Sequence, residues 1–158
     1  MDPKRELLRH ILATIAYRGG KAIRDAPETF GVFSVSAGSR TPAQILAHVG
    51  DLLDWACSTA KGAERWHVSE PLEWPAEVVR FFASLDDLDR CLASEEPLAV
   101  PVEKLVQGPV ADALTHVGQL AMLRRIAGAA IRGENYVKAE IAIGRVGVDQ
   151  ALPRREFD

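Results

Sequence analysis

Cysteine is scarce in this chain. Cys57 and Cys91 stand far apart without Cys-x-x-Cys spacing, which points away from a disulfide frame or a thiolate zinc site and toward packing roles in a reducing compartment. Long apolar runs are lacking as well, so nothing is expected to span a bilayer. A basic excess is missing: Lys and Arg number 19 against 22 Asp and Glu, for a formal net charge of −3. That balance speaks against a grip on a phosphate backbone, and no nucleic-acid partner is expected. The opening Met-Asp-Pro-Lys-Arg-Glu has neither the apolar stretch nor the small-residue cleavage site of a signal peptide, so a cytoplasmic location is expected. No fixed-period repeat, Gly-x-Ser-x-Gly elbow, Walker loop or dinucleotide fingerprint occurs, and Gly19-Gly20-Lys21 lacks the spacing of a phosphate loop.

What is present is an ordinary globular composition: 158 residues, 47% hydrophobic and 26% charged, enough for one domain spanning residues 1–158 with its own core. Four apolar-periodic segments are visible. The first starts at Asp2-Pro3 and carries Leu7, Leu8, Ile11, Leu12 and Ile15 on one stripe. Gly19-Gly20 either ends or kinks it. The second starts at Thr41-Pro42, where Thr41 and Gln44 match a capping box, and stops at Gly62. The third opens at Pro75 with Val78, Phe81, Phe82, Leu85, Leu88 and Leu92 on one face. The fourth runs from Val102 to Ile131, broken near Gly108-Pro109 and stopped by Gly133. These segments predict an all-α fold, an antiparallel four-helix bundle. The long stretch from Asp25 to Arg40 suggests that the first connection is a crossover. The tail from Glu134 is expected to pack across the bundle as an extended strap.

Placing residues at 100° steps around each helix locates the polar anomalies. His116 lies inside the arc of Leu105, Leu120, Leu123 and Ala127, with Asp112 beside it one turn earlier. His48 sits at the margin of the inward stripe of the second segment. An aspartate at the edge of a buried stripe is costly unless a cation or several donors meet it. Together His48, Asp112 and His116 make a two-histidine, one-carboxylate set, the arrangement of an open catalytic metal site. The plainer alternative is a core histidine beside an ordinary Asp112–His116 ion pair. Gln119, three positions after His116, either orients a ligand or water or makes an interhelical hydrogen bond. Arg124 and Arg125 either bind an acidic cofactor or substrate or line a solvated helix face. His10 and His67 read as surface histidines.

The stretch Thr-Pro-Ala-Gln-Ile-Leu-Ala-His48-Val-Gly-Asp-Leu resembles the first histidine motif of the DinB/YfiT-like metalloenzyme superfamily. Asp112-Ala-Leu-Thr-His116-Val-Gly-Gln119-Leu, followed by Leu123-Arg124-Arg125, resembles its second motif, which is typically His-x-x-x-His-x-Gly-Gln-Leu with Leu-Arg after it. The resemblance implies a four-helix bundle holding a divalent metal between the second helix and the last long one, here at His48, Asp112 and His116. Asp112 stands where the family usually has histidine, although some relatives, such as the mycothiol-dependent maleylpyruvate isomerases, carry an acidic residue there. The resemblance also implies transferase or isomerase chemistry on low-molecular-weight thiols.

The expected cofactor is therefore a divalent metal, Zn²⁺ or Ni²⁺ first with Fe²⁺ or Mn²⁺ as alternatives, acting as a Lewis acid on a bound thiol or water. The competing reading is a non-catalytic bundle that binds a metal or small molecule and serves as a dimeric interaction module. A homodimer is expected through the phenylalanine-bearing face of the third helix.

Overall fold

The computed structural model describes residues 2–158. Helix α1 spans Pro3–Ile23, with the Asp2 side chain accepting a hydrogen bond from the Lys4 amide at 3.0 Å and proline in the first turn. It neither ends nor breaks at Gly19-Gly20. Both glycines are buried inside it, and a Cβ on Gly19 would come within 2.6 Å of the Phe81 ring, so this glycine is there for close packing. Helix α2 spans Pro42–Ala60 and starts with the expected capping box, in which Thr41 and Gln44 each cap the other's amide. Gly62, at φ +71°, turns the chain out through a Schellman pair of bonds, from the Ala63 amide to the Ser58 carbonyl and from the Gly62 amide to that of Thr59. Helix α3 spans Trp74–Ala93.

The fourth helical region is in three parts: helix α4 (Val102–Leu105), a π turn over Val106–Val110, and helix α5 (Ala111–Ile126). The interruption falls where the sequence places it. Gly108 leaves helical angles, and Pro109 has no amide to donate. The far end differs from expectation. The helix stops at Ala127 and not near Ile131, because Gly128 takes φ +79° and a second Schellman turn forms between Ala129 and Arg124.

The contacts between helices give their directions. Arg9 pairs with Asp89 and Gly19 meets Phe81, so α1 and α3 are antiparallel. Lys4 pairs with Glu103 near the starts of α1 and α4, and Arg124 reaches the end of α1, so α1 and α5 run the same way. Asp51 meets Arg80 and Cys57 meets Asp87, making α2 and α3 parallel. The same pair, α3 and α5, flanks both α1 and α2. The expected crossover is therefore in a different place. The first connection joins antiparallel helices at one end, whereas residues 61–73 must travel back along α2 before α3 can begin. An extended segment of that length reaches roughly 43 Å, more than the about 28 Å length of α2. This return strap is tied to α2 by Trp55 donating to Glu64, by Ser58 with Arg65 and by Ser69 with Asp51.

One cluster of buried apolar residues joins all the helices, with Leu12, Leu46, Leu53, Phe81, Leu85, Leu88 and Leu120 at its centre. Phe81 and Phe82 both belong to it, so the face expected to pair two copies is consumed inside the chain. The tail contributes two short antiparallel strands, β1 (Gly133–Glu134) and β2 (Glu156–Phe157). Glu134 is buried and accepts from the Tyr17 hydroxyl at 2.7 Å and Lys21 Nζ at 2.8 Å, while Lys21 also meets Glu156 at 2.7 Å. Among the described residues, no helix is long and apolar enough to cross a membrane.

Candidate metal centre

His48 projects from α2, and Asp112 and His116 project from consecutive turns of α5, directly after the π turn. All three meet. His48 Nε2 lies 3.6 Å from Asp112 Oδ2, and His116 Nε2 lies 3.4 Å from Asp112 Oδ1. The two imidazoles stand nearly perpendicular, at 88°, with centroids 4.8 Å apart. One donor atom from each residue falls within 4.8 Å of the others. The side chains grade outward: His116 is 10% exposed, His48 21% and Asp112 48%. The cluster thus has a dry floor and a wet mouth.

Neighbouring groups set the state of each donor. His116 Nδ1 is 2.9 Å from Gln119 Oε1. With Nδ1–H donating to that amide oxygen, the Nε2 lone pair faces Asp112 and His48. Burial lowers the His48 pKa below its usual value; the nearby His116 and Arg40 lower it further, and the Asp112 charge opposes them. Both effects favour a neutral imidazole, the form that coordinates metal. Trp66 on the return strap sets its ring edge to face against His48, with centroids 5.9 Å apart, and Trp55 supports Trp66 from behind.

The separations bear on what the cluster can hold. Ligand atoms about 2.0–2.1 Å from a tetrahedral ion stand about 3.3–3.4 Å from one another. The 3.4 and 3.6 Å contacts are close to that edge and longer than a good hydrogen bond. Two open cavities flank the cluster. One, of about 550 Å³, includes His48, Arg40, Gln44 and Ser69; the other, of about 380 Å³, includes His116, Gln119, Arg40 and Met122. Arg40 lines both and has no carboxylate partner among the described residues.

Arg124 does not join this group. It is buried, and its guanidinium donates to the Ala129, Ala22 and Arg24 carbonyls, which locks the end of α5 to the end of α1. Arg124, expected as a ligand-orienting or substrate-binding residue, thus lies apart from the three donors, with Nε and Nη1 bonded to main chain. His67, read from sequence as a surface histidine, instead contacts Asp51 at 3.0 Å and Asp54 at 3.7 Å, making a second cluster of metal-ligating residue types. Arg80 already bridges both aspartates, and Ser69 donates to Asp51 through its amide and its hydroxyl. Burial pushes the Asp51 carboxyl up, but these donors outweigh it and hold the carboxyl below its ordinary range. Asp51 in this second cluster therefore already has its donors within the protein. Arg40 and Trp66 had no sequence signal. Both reach the centre from loops whose path depends on packing.

Comparison with family models, with curated proteins and with solved structures finds no match for this chain. The resemblance to the DinB/YfiT-like superfamily therefore rests on the two motifs alone.

Proposed function

We propose that the chain is a divalent-metal-dependent enzyme of the DinB/YfiT-like four-helix-bundle type, acting as a thiol-dependent S-transferase or isomerase. The observation that supports this reading is that His48, Asp112 and His116 bring one donor atom each within 4.8 Å of one another, with the Asp112 carboxylate 3.6 and 3.4 Å from the two imidazoles. These three residues would hold the ion, with the two imidazoles giving Nε2 and Asp112 one carboxylate oxygen. Zn²⁺ or Ni²⁺ (alternatively Fe²⁺ or Mn²⁺) supplies Lewis acidity there to a thiol or water. Gln119 holds His116 in the ligating tautomer. Trp66 shields the His48 side from bulk water. Arg40 offers an unspent cation at the mouth for an anionic group of the thiol or of its electrophilic partner.

A second reading is a metal-binding bundle without chemistry. It is favoured by the lining of the smaller cavity, in which His116 is the only acid–base group besides Arg40. Elemental analysis of protein purified without chelator is expected to find close to one divalent ion per chain, and His48→Ala and His116→Ala each to lose it. Thiol consumption with a panel of electrophiles, with and without added Zn²⁺ or Ni²⁺, then separates the readings. Metal-dependent turnover supports the enzyme, and stoichiometric binding without turnover supports the binder. No bound metal, with no change in either variant, overturns both.

A further inference from the structure

The two cavities beside the metal centre differ in chemistry. The smaller one is walled by Arg40, Ile45, His116, Gln119, Met122 and Leu123, with no carboxylate among them, whereas the larger includes Asp51 and Glu70. Ile45 and Leu123 belong to the buried core and give the smaller cavity an apolar floor, and Met122, which is exposed, adds an adaptable side wall. The polar groups left free in it are donors. His116 turns Nε2 toward Asp112 and gives Nδ1 to Gln119 Oε1, which leaves the Gln119 amide nitrogen. The Arg40 guanidinium has no hydrogen-bond or ion-pair partner among the described residues. Because α2 and α5 run antiparallel, residues before His48 on α2 lie beside residues after His116 on α5. The cavity is therefore a groove that leads from the three metal-ligating side chains toward Arg40, two residues before α2 begins.

We propose that this groove binds an amphipathic monocarboxylic acid, with the carboxylate on Arg40 and the hydrocarbon part along Ile45, Leu123 and Met122, and that such an acid is the electrophilic substrate. Its role as substrate rests on the metal-dependent reading above; its binding does not. A guanidinium presents a planar fork of N–H donors that meets both oxygens of a carboxylate. One cation matches a singly charged head, whereas a phosphate dianion would keep one charge unmatched and an amine would find no acceptor in the lining. Arg40 is exposed, and an exposed ion pair adds little by itself. Contact with the apolar floor therefore decides selectivity, and a bare inorganic anion is held poorly. With the head fixed at Arg40, the far end of the molecule is the part that meets His116.

The test uses the full chain, as purified and after EDTA, with hexanoate as the probe and amide NMR spectra as the readout. Hexanoate is expected to bind in both states and to shift the amide signals of Ile45, Gln119 and Met122. Affinity should rise roughly two- to fourfold per added methylene from acetate to hexanoate. Hexanamide, the same chain without the charge, should bind severalfold more weakly. Arg40→Gln is expected to bring hexanoate down to the level of hexanamide, and Met122→Asp to weaken hexanoate more than hexanamide, with circular dichroism unchanged in both. Equal affinity for hexanoate and hexanamide, acetate or inorganic phosphate bound as tightly as hexanoate, or unchanged affinity in Arg40→Gln would overturn the proposal. So would binding only to metal-loaded protein, which would put the carboxylate on the ion. Metal content is measured in the same samples. Protein without metal that binds hexanoate through Arg40 overturns the enzyme reading and leaves the acid site standing, and metal-loaded protein that ignores hexanoate does the reverse.

Discussion

His116 Nδ1 and Gln119 Oε1 are 2.9 Å apart on neighbouring turns of α5. This bond decides which imidazole nitrogen faces the Asp112 and His48 side. Gln119→Ala frees the ring to change tautomer and rotate, and is expected to weaken Zn²⁺ or Ni²⁺ binding by roughly 10–100-fold. Gln119→Glu still accepts from Nδ1–H and should retain most of the affinity. Isothermal titration calorimetry measures both.

Arg124 satisfies three main-chain carbonyls where α1 and α5 end. Arg124→Ala leaves those acceptors unpaired in a buried place and is expected to cost about 3 kcal/mol. Arg124→Lys keeps the charge but lacks the planar fork, so it should recover only part of that loss. Urea unfolding with an unchanged m-value reads both, and metal binding should be little altered in either.

Glu134 and Asp51 give the fold an acid-sensitive component. For Glu134, burial pushes the carboxyl up, but the Lys21 and Tyr17 hydrogen bonds pull it below its ordinary 4.5. Asp51 is likewise held below its ordinary 3.8. A folded-state pKa below the unfolded one adds stability that is fully present above the unfolded value and disappears as pH falls through the folded one. The urea midpoint is expected to decline below about pH 4.5. In Glu134→Gln that decline should be shallower. A decline of the same steepness in wild type and variant would assign the acid sensitivity to other groups.

Gly19 and Gly118 are both helical glycines with opposite surroundings. A methyl group at Gly19 collides with Phe81, whereas one at Gly118 meets no packed neighbour within 4 Å beyond its own stretch of helix backbone. Gly19→Ala is expected to destabilise by about 1–3 kcal/mol through overpacking. Gly118→Ala is expected to stabilise by up to about 1 kcal/mol, the gain in helix propensity. Thermal melts of the two variants should move in opposite directions.

Most helix boundaries were legible because they are local. The Asp2 and Thr41 caps, the Gly62 stop and the Gly108-Pro109 break depend on dihedral angles and hydrogen bonds within a few residues. Where two local signals competed, as Gly128 with Gly133 at the end of α5, the apolar pattern ran on past the true stop. The three donors His48, Asp112 and His116 stood out because polar groups beside an apolar stripe break its period. Periodicity says which face of a helix is buried, but not which helix covers it. Only the packed chain decided that α2 lies against α5 so that the donors meet, that residues 61–73 make the return, and that Arg124 bonds to main chain. Those relationships join residues dozens of positions apart, and the cost of bringing them together is met by the common core and by no signal within either segment.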